Sequence, residues 1–387
     1  MQRHELERFI RSYIDAHPGG AVNFAWQGGE PTLMGLDFFR TVVALQQQWC
    51  PGDTEITNAL QTNATLIDDE WAQFLKSERF LVGVSIDGPP QLHDQHRHGR
   101  RNQPSAHQVL AGIAALRRHA VEFNLLCTVN ASNVEYPRQV YDFISDLGSD
   151  WLQFIPIVER HAGSHLAKPW SPGSSDHALT RWSVSASAYG SFMTTIFDHW
   201  FSRDSDRIHI RLFDTIINSL CGQPSGICVH DRQCGRGLAI EHDGSVYPCD
   251  HFVYPELRLG SIHTRSLAAM VEDPRQIAFG DSKHTDLSRR CRACPHLQFC
   301  WGGCPKHRFV ASDDARRPEN HLCAGYQQIF AHCVPRLKQL VDCLSTGRSL
   351  HADLLHAATA PAPDLTAECP CGSGRPADEC HQAPRSR

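Results

Sequence analysis

Apolar residues recur along the first 160 positions with two alternating periods, one helical and one extended. Residues 3–16 space them three and four positions apart, as on the buried face of an amphipathic helix. Residues 22–26 then form a short apolar run of strand length, and a second helical pattern covers 36–49. This cycle repeats, with predicted strands at 55–61, 80–86, 123–129 and 151–157 and predicted helices near 68–76, 106–118 and 135–146.

Strands that alternate with helices in this way predict a parallel sheet with right-handed crossover connections. The fold class is therefore α/β, as an open sheet or a barrel. In such sheets the functional residues lie at the carboxyl ends of the strands. Five residues of this chain occupy that position: Gly29, Asn63, Asp87, Asn130 and Pro156.

Composition changes along the chain and predicts five segments. The linker is identified by its alternating Ala and Pro residues, which stiffen a chain. Further helices are expected near 185–203, 211–221 and 324–345. The segments are an α/β domain at 1–160, a helical connection at 161–226, a cysteine-rich domain at 227–345, a linker at 346–366 and a small C-terminal motif at 367–387.

The overall composition excludes several classes of protein. Apolar residues make up 41% of the chain, which supports a hydrophobic core, and the net charge of −5 gives no reason to expect a nucleic-acid partner. The longest apolar runs are of strand length, far below the roughly 20 residues of a membrane span. The charged N-terminus does not resemble a secretory signal. We therefore expect a cytoplasmic protein with no membrane partner.

The sixteen cysteines are concentrated after residue 200, with only Cys50 and Cys127 before it. In a reducing compartment such cysteines favour metal ligation over disulfides. Their spacing alone fits two structural zinc sites as well as two iron–sulfur clusters, because both take four thiolates. The eight candidate ligands are Cys228, Cys234, Cys249, Cys291, Cys294, Cys300, Cys304 and Cys323. We interpret the unpatterned Cys50, Cys127, Cys221, Cys333 and Cys343 as packing residues.

The order of these cysteines carries a family resemblance. Cys234-x9-Gly244-x4-Cys249, then Cys291-x2-Cys294-x5-Cys300-x3-Cys304 and Cys323, resembles the SPASM module of radical S-adenosylmethionine (SAM) enzymes. Residues 24–36, which include Gln27-Gly28-Gly29-Glu30-Pro31, and residues 247–252 resemble the anaerobic sulfatase-maturating enzymes. The resemblance covers about residues 4–345. It implies a partial (β/α)6 barrel that lacks its first strand, followed by a SPASM domain.

The resemblance also implies ligands for two auxiliary 4Fe–4S clusters, SAM contacts and a base. Leu152 has an equally simple interpretation as a core leucine, and Asp250 as a cluster-adjacent carboxylate. Carried over, the first cluster is held by Cys228, Cys234, Cys249 and Cys304, and the second by Cys291, Cys294, Cys300 and Cys323. The implied SAM contacts are Gly29, Glu30, Ser85, Arg97 and Leu152, and the implied catalytic base is Asp250.

The implied reaction is oxidation of a sulfatase Ser or Cys to Cα-formylglycine. SAM supplies the radical, and a reductant such as flavodoxin or ferredoxin supplies the electron that cleaves it. Two alternatives remain open at this point. One is another SPASM enzyme that modifies a different peptide. The other is an inactive remnant that binds clusters or a protein partner.

One departure from the family supports the last alternative. Radical SAM enzymes hold their SAM-binding cluster with Cys-x3-Cys-x2-Cys after the first strand, and this motif is absent from the 387 residues. Five β units are found where the family has six. We expect a start assigned too late or a truncated gene, because Gly29, Glu30, Ser85, Arg97 and Asp250 are all retained.

The last segment contains a separate metal motif. Cys369, Cys371, Cys380 and His381 form the pattern C-x-C-x8-C-H, which resembles the SEC-C zinc motif. Four N and S ligands suit tetrahedral zinc, and a segment this short needs the metal to fold. The alternative is a disordered tail. The resemblance implies docking to a protein partner.

Overall fold

The computed structural model describes residues 1–17, 19–52, 54–162, 165–166, 178–314 and 317–345. Residues 1–337 form one compact unit, and the second unit, 338–387, is described only as far as residue 345. The predicted linker 346–366 and the predicted zinc motif with Cys369, Cys371, Cys380 and His381 lie outside the described residues.

A parallel sheet forms the centre of the N-terminal half, as the alternating pattern predicts, and we call this sheet with its connecting helices the barrel. Its strand order is β1-β2-β3-β4-β5-β8, and every neighbouring pair is parallel. The strands of the described residues are β1 (Gly20–Trp26), β2 (Thr54–Thr62), β3 (Leu81–Ser85), β4 (Phe123–Val129), β5 (Trp151–Pro156), β6 (His161–Ala162), β7 (His165–Leu166), β8 (His209–Ile210), β9 (Ala239–Ile240), β10 (Ser245–Tyr247), β11 (Gly260–Ser261), β12 (Arg308–Val310) and β13 (Glu319–Asn320).

Helices connect the parallel strands and cover one face of the sheet. No helix of the described residues is long and apolar enough to cross a membrane. The α helices are α1 (Arg3–Asp15), α2 (Leu36–Trp49), α3 (Asp69–Ser77), α4 (Pro90–His93), α5 (Ala106–Arg118), α6 (Pro137–Ser145), α7 (Ala186–Arg203), α8 (Arg211–Leu220), α9 (Leu267–Val271), α10 (Pro274–Thr285), α11 (Arg289–Arg292), α12 (Leu297–Cys300) and α13 (Cys323–Ser345).

The two faces of the sheet differ in chemistry, and this difference positions the site. Val82, Val84 and Ile86 are fully buried against the helices. The residues between them, Gly83 and Ser85, face the opposite side because successive strand residues alternate. The helix-facing side is therefore the hydrophobic core, and the inner side remains available for polar chemistry.

The cysteine-rich region contains little regular structure. Its main element is a three-stranded antiparallel sheet of β9, β10 and β11. The turn between β9 and β10 is the hairpin predicted at 241–245, and Gly244 supplies its left-handed conformation with φ of 77°. Among the candidate ligands, Cys291 and Cys300 lie on the short helices α11 and α12, and Cys323 is the first residue of α13.

Five cysteines outside the ligand pattern were predicted to be packing residues. Cys127, Cys333 and Cys343 are buried, as that prediction requires, and Cys50 is half-buried. The prediction is wrong for Cys221, which is exposed because it follows the last turn of α8 at the surface.

Candidate functional site

The Gly-Gly-Glu loop after β1 is held in place by the Glu30 carboxylate. Glu30 Oε1 accepts hydrogen bonds from the backbone and hydroxyl of Thr32, at 3.0 and 2.6 Å, and from the Thr62 hydroxyl at 2.7 Å. Its Oε2 accepts the backbone N–H of Asn63 at 2.7 Å. These four bonds join the loop to the end of β2, so the carboxylate fixes the loop's position.

The glycines of this loop leave its backbone accessible. Gly28 and Gly29 have φ values of 92° and 52°, in the left-handed region that favours glycine. A Cβ atom at either position would meet no heavy atom within 4 Å. The backbone therefore faces open space, as a close contact with a ligand requires.

A buried ion pair lies beyond the ends of β3 and β4. Arg97 donates from Nε to Asp87 Oδ2 at 2.5 Å and from Nη2 to Thr128 Oγ1 at 2.9 Å. Asp87 Oδ1 accepts the Thr128 backbone N–H at 2.8 Å, and the Asp87 side chain is 3% exposed. The predicted SAM contact Arg97 is thus held at the expected edge of the sheet, with part of its guanidinium open to solvent.

Ser85, the last residue of β3, faces the inner side of the sheet. Gln61 Nε2 donates to Ser85 Oγ at 3.1 Å. A side chain added at Gly83 would touch both Gln61 and Leu126, so these residues share that face. The strand register continues from Leu126 to Gln153 on β5. A cavity of about 390 Å³ lies against Gln61, Leu126 and Gln153.

The register favours the core interpretation of Leu152. Although Leu152 borders the inner cavity, it pairs with Leu125, and both are buried. Phe154, on the same face of β5, contacts Phe192 of α7 with ring centroids 5.8 Å apart. Leu152 therefore points toward the helices, and its neighbour Gln153 is the β5 side chain on the Ser85 face.

Asp250 lies where the Gly-Gly-Glu loop after β1 meets the cysteine-rich region. Its Oδ2 accepts a hydrogen bond from Gln27 Nε2 at 3.1 Å, and its Oδ1 accepts the His251 backbone N–H at 3.0 Å. Burial acts to raise the pKa of Asp250, but His251, Cys249 and Gln27 outweigh it and lower the pKa. Asp250, Gln27 and Glu30 line one cavity of about 920 Å³ beside β1.

The structure brings together the four cysteines assigned to the first cluster. Cys304 interacts electrostatically with Cys234 and Cys228, and Cys249 interacts with Cys304. Burial raises the pKa of Cys304 to about 11 and also raises the pKa of Cys234 and of Cys249. The His251 ring nitrogen Nδ1 lies 3.6 Å from Cys304 Sγ.

The other four cysteines form a second group. Cys291, Cys294, Cys300 and Cys323 together line a small cavity of about 30 Å³. Cys300 interacts electrostatically with Cys323 and Cys291, and Cys323 with Cys291 and Cys294. Burial raises the pKa of Cys300 to about 12 and that of Cys323 to about 11.

Both groups fit the donor set of an iron–sulfur cluster. Burial raises the pKa of five of these thiols, so a positively charged metal is needed to stabilise their thiolates. The five are Cys234, Cys249, Cys300, Cys304 and Cys323. Cys291, Cys294, Cys300 and Cys323 line one cavity. Four cysteines around one centre are the donor set of a 4Fe–4S cluster.

Sequence reasoning missed several residues of this site. Gln61 was quoted only as part of the sequence Gln61-Thr62-Asn63. Gln153 was given no role because an amide in a strand carries no motif, although it alternates with buried residues. Gln27 was quoted only as part of the glycine motif. Lys283 and Arg308, described below, gave no signal because nothing in the sequence marks a buried cation.

Comparison with known families identifies both halves. Residues 1–144 match the model of the radical SAM superfamily, and residues 228–295 match SPASM, an iron–sulfur cluster-binding domain. The parallel sheet with its polar strand ends and the eight grouped cysteines therefore define a radical SAM protein with a SPASM domain.

The relatives narrow this class further. A serine-type anaerobic sulfatase-maturating enzyme of Bacteroides thetaiotaomicron is 40% identical, over 85% of this chain and 80% of the relative. A cysteine-type enzyme of Clostridium perfringens is 31% identical over 87% of this chain and 88% of the relative. The chain belongs to the family of anaerobic sulfatase-maturating enzymes, which are radical SAM enzymes.

Solved structures agree with this assignment. The structure of native anSMEcpe with bound AdoMet and Kp18Cys peptide superposes with a TM-score of 0.78 at 31% identity, covering 88% of this chain and 91% of the other. Streptococcus suis SuiB bound to S-adenosylmethionine superposes with a TM-score of 0.52 at 14% identity, covering 79% and 65%, and shows the shared fold alone.

Proposed function

We propose that this protein oxidises a serine or cysteine of a sulfatase polypeptide to Cα-formylglycine. The observation that carries the proposal is the position of Asp250, which lines the large cavity together with Gln27 and Glu30 of the barrel loop. A carboxylate at position 250 would lie between the predicted SAM contact Glu30 and the first cysteine group. The names of the relatives support the choice of substrate.

The residues have distinct roles in this proposal. When bound, SAM would supply the radical chemistry at the substrate Cβ. Gly29, Glu30, Ser85 and Arg97 position SAM, and Asp250 accepts the proton of the substrate hydroxyl or thiol. The cysteine groups hold the clusters that accept the remaining electron. Flavodoxin or ferredoxin in the cytoplasm supplies the first electron.

The ligand sets of the proposal follow the two groups in the structure. We assign Cys228, Cys234, Cys249 and Cys304 to the first auxiliary cluster and the remaining four to the second. In the C-terminal segment, Cys369, Cys371, Cys380 and His381 hold zinc and dock a protein partner. Zinc analysis of the full chain and of a chain ending at residue 345 tests the last assignment, with one zinc ion lost expected.

The substitution Asp250→Asn tests the proposal. It keeps the size of the side chain and its contact with Gln27 but removes the base. In a chain extended at its N-terminus by the family's Cys-x3-Cys-x2-Cys motif, we expect loss of formylglycine in a sulfatase-derived peptide, measured by mass spectrometry, while cleavage of SAM to 5′-deoxyadenosine continues. Asp243→Asn, in the β9–β10 turn, is the matched control and leaves the product unchanged. Formylglycine formation by Asp250→Asn would overturn the assigned base.

A second candidate function is binding of clusters and a protein partner without SAM cleavage. The observation in its favour is the absence of Cys-x3-Cys-x2-Cys from the 387 residues. Anaerobic reconstitution of the 387-residue chain is expected to give about eight irons from two four-iron clusters. SAM cleavage measured in that preparation discriminates the two functions. Cleavage requires a third cluster, whose cysteines are not in this sequence.

A further inference from the structure

Two cations are buried among the eight cysteines. Lys283 on α10 is 0% exposed and Arg308 on β12 is 9% exposed. Their hydrogen bonds in the described residues end on backbone carbonyl oxygens, and cysteines are the strongest attractive electrostatic partners of each. A buried charge is costly unless it has a counter-charge. The groups that can supply this counter-charge to both side chains are the cysteines, once they bind a cluster as thiolates.

Lys283 is held against the loop of the first cysteine group. Its Nζ donates to the carbonyl oxygens of Cys228, Val229 and Asp231, which accounts for all three ammonium protons. Burial lowers the pKa of Lys283 to about 8, whereas Cys234 and Cys228 act to raise it. The charge is therefore fixed in position beside the first group.

Arg308 is held against the segment that links the two groups. Its guanidinium donates to the carbonyl oxygens of Trp301 and Gly302, at 2.8 and 3.1 Å. Residues 301–303 are three successive left-handed residues between Cys300 of the second group and Cys304 of the first. A Cβ atom at Gly302 would lie 2.8 Å from the guanidinium, so the contact is close.

The two cations differ in which thiols they face. Lys283 interacts with Cys234, Cys228 and Cys304 of the first group and with Cys300 of the second, but all its hydrogen bonds end in the first group's loop, residues 228–231. Arg308 interacts with Cys234 and Cys304 of the first group and with Cys291 and Cys300 of the second. The difference predicts that one cation affects mainly one cluster and that the other affects both.

We propose that Lys283 and Arg308 are the fixed counter-charges of the auxiliary clusters and make those clusters easier to reduce. The inference rests on the proposed function, because the eight cysteines must hold clusters. A cluster becomes more negative when it gains an electron, so a fixed cation nearby stabilises the reduced form. Both residues are positioning residues for electron acceptance, and neither touches the substrate.

Replacement of each cation by a long apolar side chain tests this inference. We expect Lys283→Met to act mainly on the first cluster and to lower the equilibrium constant for its reduction at least tenfold, which is about 59 mV for a one-electron couple. Arg308→Met is expected to shift both couples in the same direction. The measurement is a reductive titration of the anaerobic protein, followed by electron paramagnetic resonance, with iron content determined on each sample.

The matched control is Arg275→Met, on the same helix as Lys283. Arg275 pairs with Asp273 at 3.0 Å, and its electrostatic partners include no thiol. Its loss should leave both potentials unchanged. Variants that retain about eight irons with unchanged potentials would overturn the inference.

Charge-preserving variants keep the test decisive if a Met variant loses iron. Lys283→Arg and Arg308→Lys retain the charge while changing the hydrogen bonds, so the parent potentials are expected. A tenfold change in the equilibrium constant for reduction in these variants would show that the geometry of the carbonyl contacts, and not the charge, sets the potential. A parent protein with no iron–sulfur signal would contradict the proposed function instead, because then no cluster exists to tune.

Discussion

The barrel site and the cysteine-rich region are positioned by different physical means. In the barrel, the charged side chains bind each other or the backbone: Glu30 accepts four hydrogen bonds, and Asp87 pairs with Arg97. In the cysteine-rich region, eight thiols with little regular structure around them face one another. The charged side chains of the barrel site therefore have partners within the protein, whereas we expect the cysteine groups to need a metal cluster as theirs.

The difference follows from how each half obtains its stability. The barrel buries continuous apolar strands such as β3 and β4 against helices, which stabilises it through the hydrophobic effect. The cysteine-rich region has short strands and a small apolar cluster around Val246 and Met270. We therefore expect metal binding to supply folding free energy there, as in other small metal-dependent domains. Three predictions test this contrast.

The largest effect is expected from removal of one cluster. Cys300→Ala deletes a thiol of the second group and should lose about four of about eight irons. Because the cluster crosslinks α11, α12 and the start of α13, their amides should exchange hydrogen much faster. Strands β2 to β5 should keep their protection. Iron analysis and hydrogen-exchange mass spectrometry measure the two effects.

Cys333→Ala is the control for this change. Cys333 is also fully buried, but it lies outside both groups. Its loss should leave the iron content unchanged and cost only packing. Equal loss of protection in the barrel strands after Cys300→Ala would show that the two regions do not differ in their dependence on iron.

A smaller effect is expected from the barrel's own ion pair. Asp87→Ala leaves Arg97 and the Thr128 N–H without their acceptor. Because the Arg97 side chain is 29% exposed, we expect a loss near the lower limit for buried pairs, about 3 kcal/mol in the free energy of unfolding. Urea unfolding followed by circular dichroism measures it, with iron content unchanged.

Asp69→Ala tests whether any ion pair would give the same result. Asp69 pairs with Arg118 and His119 on the surface, where water screens the charges. No measurable change in unfolding is expected for this control. If Asp87→Ala unfolds at the same urea concentration as the parent, the barrel site is not held by its own side chains.

Much of the barrel was predictable, because its strands are long enough to show a pattern. The predicted strands at 22–26 and 123–129 correspond to β1 and β4, and the fold class is confirmed. The sixth strand, β8, was missed because two residues cannot show an alternation. Its place in the sheet is set by pairing with β5, which is tertiary information.

The site was less predictable from residues alone. The spacing of the cysteines indicated eight candidate ligands, but only the family resemblance assigned them to two groups. Spacing could not do so because the assignment depends on how residues 234–323 fold. The face of Leu152 depends on strand register, which a one-residue shift would reverse. Burial of Lys283 could not be inferred, because α10 is mostly polar and the lysine's carbonyl partners lie more than fifty residues away.

The smallest effect concerns His93, which holds the Asp87 loop. Its Nδ1 accepts the Asp87 backbone N–H at 3.2 Å, and its Nε2 lies 3.2 Å from Ser105 Oγ. The ring is 1% exposed, and burial lowers its pKa below the ordinary value of 6.5. The folded barrel therefore binds fewer protons than the unfolded chain once the pH falls below about 6.5.

The lowered pKa of His93 predicts how the stability of the barrel changes in acid. We expect the free energy of unfolding of the parent to exceed that of His93→Gln. This difference should be largest above pH 6.5 and should decrease as the pH falls toward the pKa of His93 in the folded state. Urea unfolding of both proteins at several pH values between about 7.5 and 5.5 measures the gap, a range chosen around the histidine pKa. A constant gap would mean that the neutral ring is not what holds the Asp87 loop. A difference in free energy of unfolding that decreases with falling pH, at unchanged iron content, would show that protonation of His93 destabilises the barrel site independently of the clusters.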